Sequence, residues 1–236
     1  LYSTKILSAK ITVSAAGDVD EAGTRDILKS LGASSSKPVP APVFQAPKKD
    51  APLVVRELPT RSAWVFISYP VGSSAIDAPA LRVLSAILSD SKGARLPARL
   101  LGNPLVQGAP AALTVSSEWV YRRYAGELLL SAQTNPQSVD RVKNALLDEI
   151  RKLRDVKVSA QELDRAKTYA RGSWSIERQN LRERAFLSGQ VPALGGPSDA
   201  LWPARLQAVT PEDISRVATK YLNNYAVALV MPRETQ

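Results

Sequence analysis

Short apolar segments and longer amphipathic segments follow one another along this chain, and their order predicts the fold class. Strand-like runs rich in β-branched and aromatic residues lie at residues 10–16, 53–58, 63–69, 111–119, 124–133 and 225–231. Helical patterns lie at residues 18–31, 77–90, 136–154, from 159 to a break at 189–197, and from 210 onward. Strand pairs with helices added in blocks are typical of an α+β fold, so we expect an antiparallel or mixed β-sheet covered by long α-helices.

The predicted central strand is the run from Trp64 to Tyr69. Its apolar residues are almost unbroken, which favours a strand covered on both faces. Residues 33–51 have a different composition, rich in serine and proline, and predict an extended linker. We therefore expect a first strand–helix unit at 1–32, a linker at 33–51, and the remainder of the same α+β domain at 52–236.

Acidic residues near predicted helix starts have an ordinary explanation. Ser159 and Glu162 form a capping-box pattern, and capping accounts for Glu162. Asp18 and Asp20 could pair for metal binding or acid–base work, but helix N-termini attract acids through their free N–H groups and dipole. We interpret these carboxylates as structural. The four tryptophans (Trp64, Trp119, Trp174 and Trp202) are expected to anchor the core or a domain interface.

The chain contains no histidine and no cysteine. It therefore lacks the commonest general base, both of the commonest zinc ligands, thiolate nucleophiles and disulfides. Clusters of Asp and Glu alone would suit Mg²⁺ or Ca²⁺ better than catalytic zinc. We expect no cofactor in this chain and no self-sufficient catalysis.

The formal net charge of +9 raises the alternative of a basic nucleic-acid-binding protein. Its basic residues alternate with acidic ones, as on solvated helix faces, and no recognised nucleic-acid-binding motif accompanies them. No apolar stretch approaches the roughly 18 residues of a membrane span. We therefore expect a soluble protein.

Five segments, in this order, resemble a pitrilysin-type (insulinase-like) zinc peptidase. They comprise a strand ending in Gly-Asp-Val at residues 11–20, a strand and helix at 64–70 and 77–88, Ala-Arg-Leu at 94–96, a Val-Ser-x-x-Glu-Leu helix start at 158–167, and Val-Thr-Pro-Glu-Asp-Ile at 209–214. The family's zinc motif, H-x-x-E-H, cannot be built from this sequence. The chain resembles the second, non-zinc-binding domain of a half, or an inactive subunit.

This resemblance implies a role in a two-half peptidase that encloses unfolded peptides. The chain would line the peptide chamber and pair with a domain or subunit that carries the zinc and makes the whole a metalloendopeptidase. A homo- or heterodimer is also expected, and so is a location in the bacterial periplasm, where many relatives work, or outside the cell. A second interpretation is a structural or assembly subunit without peptide binding. Whether the chain is a piece of an active enzyme or of an inactive partner stays open at this point.

The resemblance also suggests substrate-binding residues. The family's partner half contributes an Arg and a Tyr, seven residues apart, that hold the substrate backbone. Arg99 matches the Arg, but the position seven residues later is Val106. Arg122, Arg123 and Tyr124 are further candidates, although they fall in a turn between two predicted strands, where a solvated hairpin turn is the simpler interpretation.

Overall fold

A five-stranded mixed β-sheet forms the centre of the computed structural model, which describes residues 12–30, 52–102, 110–122, 125–195 and 199–233. The strands are β1 (Leu53–Leu58), β2 (Ala63–Gly72), β3 (Thr114–Val120), β4 (Ala125–Thr134) and β5 (Ala226–Pro232), in the order β1-β5-β2-β4-β3. Only β1 and β5 pair in parallel; the other neighbours are antiparallel. The predicted α+β fold with a mixed sheet is confirmed.

The helices that contact this sheet pack on one of its faces. The described helices are α1 (Glu21–Ser30), α2 (Ala78–Ser85), α3 (Arg95–Leu100), α4 (Val139–Asp155), α5 (Ala160–Glu177), α6 (Leu181–Ala193), α7 (Trp202–Ala208) and α8 (Pro211–Tyr221). A π-helical turn, Ala86–Asp90, continues α2. Helices α4 and α8 contact β2, and α2 contacts β3. No described helix is long and apolar enough to cross a lipid bilayer.

The core lies between the sheet and these helices. Along β2, buried side chains alternate with half-buried ones, and Val65, Ile67 and Tyr69 point inward. The amphipathic α4 buries Val142, Leu146, Ile150 and Leu153 on the stripe that the sequence predicted. Side chains return to the same face every two residues in the strand and about every 3.6 residues in the helix. One apolar row of side chains from each element therefore packs into the core.

Among the described residues, the second face of β2 is only half-buried, contrary to the expectation from its apolar run. Trp64 and Phe66 alternate with the buried residues and lie half-buried on the opposite face of the sheet. Their rings stack on each other, with centroids 5.9 Å apart and planes 5° apart. Aromatic residues that shield one another on an open face produce the same apolar run as a fully buried strand, and this caused the wrong prediction.

The predictions near the N-terminus are either corrected by the structure or lie outside the described residues. The strand predicted at 10–16 is not formed over residues 12–16, which have no strand pairing. Helix α1 begins at Glu21, and its first turn is capped by Asp20, whose Oδ1 accepts a hydrogen bond from the Gly23 N–H at 2.6 Å; Asp18 does not take the cap position. The linker predicted at 33–51 lies outside the described residues.

The helix predicted from Ser159 to residue 189 is two helices. Helix α5 ends at Glu177, and Asn180 starts α6 by accepting a hydrogen bond from the Arg182 N–H at 2.8 Å. A good N-cap residue inside an otherwise helical pattern favours a new start over continuation. The short helices α3 and α7 are absent from the predicted elements, since both contain a proline and too few residues for a clear period.

Candidate functional site

Within the described part of the chain, no group of three or more acidic side chains could hold a metal ion. Since histidine and cysteine are missing from the whole sequence, the donor set for a hydrolytic zinc does not exist here. Of the four residues that the sequence suggested for substrate binding, the structure describes Arg99 and Arg122.

Arg99, from α3, is held against helix α4. Its Nη1 lies 2.8 Å from an Asp148 carboxylate oxygen and 2.6 Å from Glu149 Oε1. Hydrogen bonds from Arg99 and then from Arg151 lower the pKa of Asp148 to about 2. The guanidinium thus has two carboxylate partners within its own domain, which ties α3 to α4.

Of the other three candidates, the structure describes Arg122, which follows strand β3. Arg122 is exposed and its Nη2 is 3.3 Å from Glu127 Oε1. Arg123 and Tyr124 lie outside the described residues. The structure does not bring Arg99 and Arg122 together in one site: Arg99 pairs with α4, and Arg122 pairs with the start of β4.

The open face of the sheet is the largest feature that the sequence analysis missed. Residues opposite one another on adjacent strands share a face, so the register assigns its members. On β1, β5 and β2 they are mainly apolar: Val54, Leu58, Ala228, Val230, Trp64 and Phe66. On β4 and β3 they are mainly polar: Glu127, Ser131, Gln133, Thr114, Ser116 and Glu118.

Hydrogen bonds organise the polar half of this open face. Ser68 donates to Glu127 at 3.0 Å, and the hydroxyls of Ser116 and Ser131 are 2.7 Å apart. The face therefore offers apolar surface at one side and hydroxyl and carboxylate groups at the other. No run of like charge crosses it, so it suits a ligand of mixed polarity.

A second feature is a concave site that we call the tryptophan cavity. It has a volume of about 350 Å³ and lies between β3, the π turn and helices α5, α6 and α7. It is lined by Arg82, Ser85, Asp90, Ser117, Glu118, Trp119, Tyr121, Trp174, Glu177, Arg178, Leu187, Val191 and Trp202. The sequence marked Trp119, Trp174 and Trp202 as core or interface anchors; nothing in their spacing indicates that they meet.

The aromatic rings of this cavity are arranged in contact. Trp119 and Trp202 stack with centroids 6.3 Å apart, and Tyr121 tilts against Trp119 at 5.6 Å. The Arg178 guanidinium lies 4.7 Å from the centre of the Trp174 ring. The Trp119 indole nitrogen is buried and has no hydrogen-bond partner among the described residues.

A third cluster surrounds Asp77, which is 2% exposed. Its carboxylate accepts hydrogen bonds from Arg216 at 2.5 Å, Lys220 at 2.8 Å and Tyr221 at 2.6 Å. Burial would raise the pKa of Asp77, but hydrogen bonds from Lys220, Tyr221 and Arg216 outweigh it and hold that pKa well below its ordinary value. The cluster joins α2 to α8.

Several solved bacterial structures share this fold. A protease from Helicobacter pylori matches with a TM-score of 0.75 and 20% identity over 92% of this chain and 54% of its own. A peptidase M16 inactive domain from Pseudomonas fluorescens matches with a TM-score of 0.74 and 17% identity over 93% of this chain and 53% of its own. This chain thus spans about half the length of these two structures.

A shorter structure matches over nearly its full length. It is described as the inactive peptidase domain of a candidate zinc protease from Bordetella parapertussis, with a TM-score of 0.62, 21% identity, and coverage of 74% of this chain and 94% of its own. No curated protein matches the sequence. At such identities the structures establish the fold alone.

A separate observation assigns this chain to a protein family. The family model described as the peptidase M16 inactive domain matches residues 2–169, well over half of the sequence, in agreement with the resemblance to pitrilysin-type peptidases. The chain therefore belongs to the peptidase M16 inactive-domain family.

Proposed function

We propose that this chain is a non-catalytic domain of a zinc peptidase, that its open sheet face lines a peptide-binding chamber, and that it pairs with a zinc-bearing domain or subunit. The observation that carries this proposal is the uncovered face of the sheet, with Trp64 and Phe66 stacked at its centre. A soluble domain that leaves such a surface uncovered usually has a use for it.

The chemistry of the open face suits unfolded peptides of varied sequence. Apolar side chains of a peptide can lie on Trp64, Phe66 and Val230, while its amides meet the hydroxyls of Ser116 and Ser131. Stacked aromatic rings give large contact area at little cost in side-chain entropy, and they do not demand one particular sequence.

The proposal that zinc binding and peptide binding belong to different domains follows from the metal-ligating residues that this chain lacks. A chain without His or Cys cannot hold hydrolytic zinc, so a metalloendopeptidase containing it needs the metal elsewhere. The two longer structures, of which this chain covers 53–54%, support a companion domain of similar size. A periplasmic or secreted location and a homo- or heterodimer belong to the same proposal.

A structural or assembly subunit is the second candidate, and the position of Arg99 favours it. Arg99 would hold substrate if the family's Arg–Tyr pair were preserved. Its guanidinium instead forms ion pairs with Asp148 and Glu149. Substrate contact by Arg99, Arg122, Arg123 and Tyr124 remains a prediction. A nucleic-acid-binding role has no further support, because many basic side chains pair with acids of the same chain.

Fluorescence anisotropy with a labelled, unfolded peptide tests the proposed peptide binding. The double variant Trp64→Ala/Phe66→Ala should weaken binding by roughly tenfold or more, since large aromatic contacts dominate such interfaces. The matched double variant Ile176→Ala/Phe186→Ala, at two exposed apolar positions of α5 and α6 outside this face, should stay within about twofold. Equal losses in both variants, or no binding by the unmodified chain, would favour the structural subunit.

A further inference from the structure

The tryptophan cavity is built by five separate parts of the fold. β3 contributes Trp119 from the sheet, the π turn contributes Asp90, and α5, α6 and α7 contribute Trp174, Leu187 and Trp202. Cavities of about 300 to 1,000 Å³ with aromatic walls and a few fixed polar groups are the usual form of a small ligand site. This one lies within that range.

The polar groups in its wall are largely paired with one another. Arg82 donates to Asp90 at 3.2 Å and to Ser173 at 3.0 Å, and the Ser85 and Ser117 hydroxyls are 3.1 Å apart. Arg178 donates to the Trp174 carbonyl oxygen at 3.2 Å and lies near Glu177. These paired polar groups form a rigid wall. A bound ligand need not carry a charge, because the polar groups already have hydrogen-bond partners.

The π turn holds β3 in place beside the cavity. The Ser117 backbone N–H donates to the Ser89 hydroxyl at 2.8 Å, and the hydroxyls of Ser85 and Ser89 reach the Ser117 carbonyl oxygen. These bonds satisfy backbone groups that point away from β4. The wall of the cavity is therefore fixed before any ligand arrives, which lowers the entropic cost of binding.

The surface that the cavity presents to a ligand is mainly aromatic and aliphatic. Trp119, Trp202, Leu187 and Val191 provide it. The charges of the two Arg side chains balance those of Asp90 and Glu177, because the Glu118 side chain lies on the open face of the sheet. The volume corresponds to roughly ten to twelve water molecules at about 30 Å³ each, enough for one side chain with its flanking amides. The unpaired Trp119 N–H is covered by its neighbours, so a carbonyl oxygen reaches it only after a ring shifts.

We propose that the tryptophan cavity binds one uncharged aromatic or branched aliphatic side chain of a peptide. That the occupant belongs to a peptide rests on the proposed function, whereas its uncharged and apolar character rests on the cavity itself. The balanced charges disfavour a phosphate, a carboxylate or a lysine side chain.

Titration of the chain with N-acetyl-phenylalanine amide, followed by NMR, tests this site directly. The Leu187→Trp variant fills the cavity and should weaken binding at least tenfold. Phe186→Trp adds the same ring one residue earlier on α6, where the side chain is 58% exposed, and should leave binding unchanged. Leu187 is half-buried and Phe186 is exposed, and α6 has no fully buried residue, so both variants should fold.

Three outcomes would overturn the proposal. They are no binding of the phenylalanine amide up to its solubility limit, equal binding by the two α6 variants, and tighter binding of N-acetyl-lysine amide or N-acetyl-glutamate amide. The open-face peptide assay distinguishes this failure from failure of the proposed function. If only the cavity is misassigned, Trp64→Ala/Phe66→Ala still weakens peptide binding while Leu187→Trp does not.

Discussion

The carboxylate of Asp77 lies beneath the start of α2 and accepts hydrogen bonds from three side chains of α8. Its partners are 139 to 144 residues further along the chain. A contact of this length closes a large loop, so its formation belongs to the folded state. At the scale of single residues, it is the clearest case of a buried charge made tolerable by its partners.

Asp77→Asn should lower the free energy of unfolding by about 2 kcal/mol near neutral pH, because charge-assisted hydrogen bonds from Arg216 and Lys220 are lost. The folded state lowers the pKa of Asp77 below its ordinary value of 3.8. Its stabilising effect is therefore complete well above that pH and is lost as the pH falls below it. Urea denaturation over that range should show the difference between the two proteins shrinking.

Asp140→Asn is the matched control, since its side chain is 83% exposed and pairs only with Lys143 among the described residues. It should change the free energy of unfolding by less than about 0.5 kcal/mol. Similar losses in both variants, or a difference independent of pH, would contradict the account of Asp77.

Single residues also show where sequence reasoning reaches its limit. The capping pattern at Ser159 is real, as Ser159 Oγ accepts from the Glu162 N–H at 3.2 Å. The Glu162 carboxylate, however, turns to Arg95 at 2.6 and 3.0 Å, so capping is not its whole role. Local hydrogen bonds can be predicted from spacing, whereas a partner 67 residues away depends on the completed fold.

At the scale of elements, the pairing of β4 with β3 depends on a glycine. A Cβ at Gly126 would lie 2.6 Å from the Val120 carbonyl oxygen and 3.2 Å from Val71 Cγ2. The first of these atoms belongs to the backbone and cannot move aside cheaply. The end of β3, where the turn to β4 begins, is therefore packed directly against the start of β4.

Gly126→Ala should reduce the free energy of unfolding by about 2 to 3 kcal/mol, since the added methyl group overpacks this turn. Gly172→Ala should do the opposite and add about 0.5 to 1 kcal/mol, because Gly172 lies inside α5 with nothing within 4 Å of the new Cβ. Chemical denaturation measures both. A neutral Gly126→Ala would show that the turn can open without cost.

Elements with a strong period were predictable, and those defined by their neighbours were not. Helix α4 and strands β2 and β4 were predicted to within a few residues because their apolar periods are clear. Residues 12–16 have β-branched character but no strand partner in the described structure. The open sheet face and the tryptophan cavity depend on which elements meet, which periodicity does not specify.

At the scale of the whole molecule, the fold is that of an M16 inactive domain without a metal donor set. It combines a closed core on one side of the sheet with an open face on the other. This asymmetry suits a domain that completes a chamber with a companion. The proposed chemistry is therefore divided between two partners, with binding surface here and zinc in the other.

The most direct measurement is peptide cleavage by the purified chain, supplied with Zn²⁺, alone and together with an M16 domain that carries the H-x-x-E-H motif. The account predicts no chelator-sensitive cleavage by the chain alone. It also predicts that adding the chain to the zinc-bearing domain forms a complex and raises that domain's cleavage rate. Cleavage by the chain alone that a chelator abolishes and Zn²⁺ restores would contradict the account.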